Sequence, residues 1–200
     1  MRLHFGAVPE SPDFLPDKTW KPLKEPSPWM AQLIAFPIGT VTTLVIVLLW
    51  IGITPLTTEK NLLIDNAFSG FFFSFVGIII VHELIHAAVH PMMGRSNRSI
   101  LGLWLSRGVF YAHYDGELSR NRFISILIMP FVIISTVPLF VATIVQVASG
   151  WIAFLSAFNA LLACVDLLGA GMVLFQVPST ATVRNQGWRT YWKTVETGSA

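Results

Sequence analysis

Four apolar runs, each long enough to cross a bilayer, constrain this chain more than any other feature. A spanning helix takes about 20 residues, and such runs occur at about 31–53, 67–93, 123–148 and 151–177. Only 12% of the 200 residues are charged and 54% are hydrophobic, against about 25% charged in an ordinary soluble domain. The expectation is an all-α polytopic membrane protein with four transmembrane helices. Pro91 and Pro178 stop the second and fourth runs, while Pro130 and Pro138 predict kinks inside the third. The stretch Ser99–Tyr114, "SILGLWLSRGVFYAHY", has two aliphatic and aromatic runs around Ser106-Arg107-Gly108. It predicts a short cytoplasmic-side β-hairpin at about 99–114 between helices 2 and 3.

The basic residues give the orientation. Twelve of the thirteen Lys and Arg lie in the N-terminal segment 1–30, in segment 94–122 or in the tail 178–200, and only Lys60 lies on the other side. By the positive-inside rule both termini face the cytoplasm, and the chain is expected to be an integral protein of the cell (plasma) membrane. The polar, proline-rich first 30 residues hold no apolar stretch of signal-peptide type. Cys164, the single cysteine, rules out an internal disulfide. A net charge of +2 without a basic, aromatic-interleaved patch excludes nucleic acid as a partner. Whether the terminal Gly-Ser-Ala is native is open.

Inside the second run, "IIIVHELIHAAVH" carries four ionisable groups where lipid-facing residues would be cheaper. His82 and His86 are four apart, so on a helix both imidazoles reach one face and one Zn²⁺. Glu83 lies further round the helix, where it can take a proton from a metal-activated water. A catalytic zinc needs a third protein ligand. Of eleven carboxylates only Glu83 and Asp166 fall inside a run. His82 and Asp166 each lie 15 residues from the outer end of their runs, which cross in the same direction. Both therefore sit at one depth, roughly 16 Å from the cytoplasmic end at helical rise. Asp166 is the expected third ligand. His90, two turns from His82, is too far to share that zinc and reads as a packing or gating residue. Cys164 reads as small apolar filler. Asn159, seven residues before Asp166 and so on the same face, is a candidate for a hydrogen bond to substrate or to a ligand, and His113 in the hairpin is a candidate for substrate binding.

An HExxH motif in one run and an Asp in a later run of like direction resemble the site-2 protease group of intramembrane metalloproteases. The chain more closely resembles a set of membrane zincins related to that group, through "YAHYDGELSRNRFISILIMPF" (Tyr111–Phe131) and "DLLG" (Asp166–Gly169), over about residues 67–177. The resemblance implies a helical membrane core, zinc on His82, His86 and Asp166, and Glu83 as general base. It also implies cleavage of a peptide bond near the cytoplasmic face. The prolines that site-2 proteases carry between Asn and Asp are missing from "NALLACVDLLG". The expected function is a zinc-dependent endopeptidase acting on a membrane protein or peptide. The alternative is a zinc-binding membrane protein that hydrolyses another amide or serves a partner without catalysis.

Overall fold

The computed structural model describes residues 1–53, 59–61 and 67–194, with side chains from 74 onward in the last stretch. Most of the 54–66 connection and the terminal Gly-Ser-Ala lie outside the described residues. In chain order the elements are β1 (Arg2–Phe5), β2 (Lys21–Pro22), α1 (Pro28–Ile53), β3 (Glu59–Asn61), α2 (Ala67–Val89), β4 (Ser99–Trp104), β5 (Val109–Tyr114) and β6 (Leu118–Ser119). They continue with α3 (Arg120–Pro130), a π-turn (Phe131–Thr136), α4 (Val137–Val145), β7 (Val147–Ser149), α5 (Gly150–Leu162), α6 (Cys164–Gln176), β8 (Ala181–Gln186) and β9 (Arg189–Thr194).

This overturns the all-α, four-span expectation. Among the described residues two helices are long and apolar enough to cross a membrane: α1, and the run Arg120–Val145 through the π-turn. The pair α5–α6 is bent by 50° and would make at most a third span. The described apolar part of α2, Ser74–Val89, is shorter. That helix ends because His90 leaves helical dihedrals ahead of Pro91, and Met92 and Met93 then turn through the left-handed region. Three sheets accompany the helices, in the orders β1-β4-β5, β2-β9-β8-β6 and β3-β7. The predicted hairpin is β4–β5, antiparallel from Ser99↔Tyr114 to Trp104↔Val109.

Strands β1, β2, β8 and β9 come from the polar ends of the chain, whose backbone groups need partners wherever they pack. β1 pairs in parallel with β4, so the N-terminus covers one edge of the hairpin and leaves the other edge, β5, unpaired by any described strand. β8 and β9 form a second hairpin, with Gly187 at φ 56° in its turn, and β2 and β6 flank it. Ala181 and Val183 of this sheet join Leu23, Val173 and Val177 in one apolar cluster. The sheet is thereby seated on the end of α6. Arginines complete the junction. Arg122 donates from Nε to Val89 O and from Nη2 to His90 O, closing the end of α2. Arg120 does the same for Leu174 O near the end of α6. Cations suit these carbonyl-rich helix ends.

The helices pack through small residues. α1 turns Ala31, Ala35 and Gly39 inward at four-residue spacing and leaves Leu33, Phe36, Leu44 and Leu48 exposed. In lipid, close backbone approach replaces hydrophobic burial as the source of helix association. Gly39 shows it directly: a Cβ there would stand 2.8 Å from Cys164 Cβ. Gly39 therefore lets the bend between α5 and α6 press against α1. Trp50, near the end of α1, is buried and donates from Nε1 to Ser156 Oγ at 3.0 Å instead of lying in an interfacial belt.

Candidate metal centre

His82 and His86 project from one face of α2, as i,i+4 spacing requires, toward the bend between α5 and α6. The helix breaks at Ala163 with no proline or glycine nearby, and Asp166 enters in the first turn of α6. His82 Nε2 lies 3.0 Å and His86 Nε2 3.4 Å from Asp166 Oδ2, and the two Nε2 atoms are 3.1 Å apart. These three residues form the set that could hold a metal ion among the described residues.

The neighbouring hydrogen bonds fix which ring nitrogens carry protons. Pro130 O can only accept, and Asn159 Nδ2 donates to it at 3.1 Å and to Ser135 Oγ at 2.9 Å. Asn159 Oδ1 must then face His82 Nδ1, 2.8 Å away, which makes Nδ1 the donor. His86 Nδ1 lies 2.7 Å from Ile126 O, again an acceptor only. With both neutral rings protonated on Nδ1, both Nε2 lone pairs point at the Asp166 carboxylate. Three acceptors then face one another. A proton relieves one of those contacts, whereas a divalent cation relieves all three. Tetrahedral zinc with bonds of about 2.0–2.1 Å sets its ligand atoms about 3.3 Å apart, close to the observed edges. Two imidazoles and one carboxylate are also a donor set that suits zinc.

The support for His82 continues outward. Asn159 is fully buried, and its partner Ser135 belongs to the π-turn that follows Pro130. Ser156 Oγ donates to Ser135 O at 2.7 Å and accepts from Trp50 Nε1. A chain of side chains thus runs from α1 to the metal face. Of the two roles the sequence left open for Asn159, a hydrogen bond to substrate or to a ligand, the geometry matches the second: it sits behind His82 with both ends of its amide engaged. The Ser135, Ser156 and Trp50 links were not found from sequence. Small polar residues in apolar runs were the signal available for them.

Glu83 and His113 open onto the same cavity, of about 610 Å³, that the metal face lines. Glu83 accepts a backbone hydrogen bond from Ala112 on the free edge of β5, and its Oε2 is buried without a partner. His113, in β5 opposite Ile100, is buried, and burial pushes its imidazole down to about 4. His90 stands apart from the metal set. It is fully buried, its Nδ1 lies 3.1 Å from Ser99 Oγ, and its ring packs at a tilt against Tyr114, centroids 5.5 Å apart. It ties the end of α2 to the hairpin.

Residues 75–182, just over half of the chain, match the profile of a family described as "Putative zincin peptidase". No curated protein and no solved structure matches the chain.

Two outcomes are expected. Asp166→Ala loses stoichiometric zinc from the purified protein, and Asn159→Ala keeps all three ligands but binds zinc about 10–100-fold more weakly; chelator competition measures both. For His113, the unfolded imidazole takes its proton below about pH 6.5, while the folded one stays neutral down to about 4. The unfolded state then binds more protons, so stability is lost as the pH is lowered from about 6.5 to about 4. Thermal melts at stepped pH show this loss in the wild type and a shallower one in His113→Phe.

Proposed function

Since the chain belongs to the family described as "Putative zincin peptidase", we propose that it is a zinc-dependent endopeptidase working within or at the surface of a membrane. The observation that carries this reading is the convergence of His82 Nε2, His86 Nε2 and Asp166 Oδ2 on one point beside the unpartnered Oε2 of Glu83. Zinc bound there supplies a Lewis acid and makes water a nucleophile near neutral pH. Glu83 would take the proton of the attacking water at Oε2 as the C–O bond forms and the carbonyl π bond opens, and would then deliver it to the amine nitrogen, on which the C–N bond breaks and the carbonyl re-forms. Asn159 and Ile126 O hold the two imidazoles in the tautomer that leaves Nε2 free. The apolar cavity wall, from Phe75 and Ile79 to Met172, limits access of bulk water.

The substrate class is a membrane protein or peptide. Helices long and apolar enough to cross a bilayer frame the site, and the resemblance to the site-2 protease group points the same way. A helical substrate hides its carbonyls in its own hydrogen bonds, so it must be extended to be cut. The unpaired edge of β5, beside Glu83, offers backbone groups to an added strand. His113 on that strand opens onto the space such a substrate would occupy.

Glu83→Gln keeps zinc and loses turnover. Membrane proteomes of cells carrying the wild type contain fragments that are missing from cells carrying Glu83→Gln. Identical proteomes, with equal zinc in both proteins, would remove the peptidase reading and leave a metal-binding protein.

A further inference from the structure

The cavity reaches from the metal face to the sheet built by the two ends of the chain, and two acceptors there take no part in the chemistry described above. The first is Glu25, whose Oε1 accepts the Thr190 N–H at 2.6 Å. Among the described residues Glu25 forms no ion pair, although it is half-buried and lines the cavity. Burial pushes its carboxyl up, against the opposing influence of the Thr190 hydrogen bonds and the Arg189 charge. The second is Asn185, directly across the β8–β9 ladder from Thr190. By the alternation of a strand it follows Ala181 and Val183 on the inner face, where both of those pack in the apolar cluster. In the third place stands an amide whose Oδ1 is buried with no partner and which lines the same cavity.

A buried acceptor without a donor is costly, and a buried carboxylate without a counter-charge more so. The cavity lining carries Glu25, Glu83 and Asp166 and, among the described residues, no Lys or Arg. Asn185 Oδ1 lacks a hydrogen-bond donor, and the Glu25 carboxyl, held at Oε1 by the Thr190 N–H, has no salt-bridging cation among the described residues.

We infer that Glu25 and Asn185 form a subsite for a cationic donor group of the substrate, an ammonium or guanidinium, at the end of the cavity away from the metal. This rests on the peptidase reading and adds a specificity to it. Two sources supply that chemistry: a Lys or Arg side chain, or a free α-amine. The side chain has a physical reason to be there, because membrane segments carry their Lys and Arg excess on the cytoplasmic flank. With the chain termini on that side, a substrate segment reaching the metal holds its basic flank at the level of the terminal sheet.

The test uses the full-length, zinc-loaded protein in detergent and a set of acetylated peptide hydroxamates of one apolar host sequence. A single Lys is moved through the host in place of norleucine, and a further compound keeps norleucine but has a free α-amine. Calorimetric titration gives each dissociation constant. One Lys position, or the free amine, is expected to bind about tenfold more tightly than its norleucine or acetylated counterpart, and which arm gains identifies the source. The gain disappears in Glu25→Gln and shrinks in Asn185→Leu, while the acetylated norleucine compound binds all three proteins equally. Equal binding of every compound to the wild type, or a gain that survives both substitutions, overturns the subsite and leaves the peptidase reading intact. If no hydroxamate binds the zinc-loaded wild type, the peptidase reading itself falls and takes the subsite with it.

Discussion

Three hydrogen-bond acceptors aimed at one another inside a largely apolar helix assembly are the constraint on which the rest of this structure depends. His82 Nε2, His86 Nε2 and Asp166 Oδ2 stand 3.0–3.4 Å apart, and both imidazoles are held with their protons turned away. Such an arrangement disfavours the protein without a cation, and it survives because the surroundings over-determine it. Asn159 cannot rotate without giving up Pro130 O and Ser135 Oγ. Ile126 O fixes His86 from a separate helix. The bend at Ala163 delivers Asp166 at a helix start, and Gly39 gives that bend room against α1. The stability spent on buried polar groups is local, and the exposed apolar surface of α1 carries none of it.

The same logic explains the division of the chain. Small residues on α1 allow the helices to approach closely where lipid offers no hydrophobic drive for association. The polar ends meet one another instead. Ser11 and Gln186 exchange two hydrogen bonds at 3.0 and 3.2 Å, and Tyr111 donates to the carbonyls of Gly6 and Ala7. Residues nearly the whole chain length apart thereby build one wall of the cavity whose other wall is the metal face. Glycine at 102 belongs to the same construction, since a Cβ there would fall within the Tyr111 ring. The N-terminal segment is thus part of the site's enclosure and also the strand that covers one edge of the hairpin.

The metal face was legible because its signals are local or geometric. The four-residue spacing of His82 and His86 sets their common face, and the scarcity of buried carboxylates leaves Asp166 at a matching depth. The β4–β5 hairpin announced itself through its two aliphatic and aromatic runs around Ser106-Arg107-Gly108. The sheets of the termini did not, although "ATVRNQGWRTYWKT" alternates across a glycine turn, because reading a polar tail as a tail ignores its unpaired backbone. The span count failed for a different reason. Hydropathy measures apolar length and does not register the break at Ala163, which bends the fourth apolar run by 50°. Asn159 was found as a residue of interest, but its partner is a histidine on another helix. Only the tertiary arrangement assigns it.

The central claim is that these two imidazoles and this carboxylate hold one zinc. X-ray absorption at the zinc edge of the purified wild-type protein reads that ligand set directly. The account predicts one zinc per chain in a four-coordinate shell of nitrogen and oxygen at about 2.0–2.1 Å, with the multiple-scattering signature of two imidazoles. A sulfur ligand near 2.3 Å, which among these residues would point to Cys164, or a shell with fewer than two imidazoles, would contradict it.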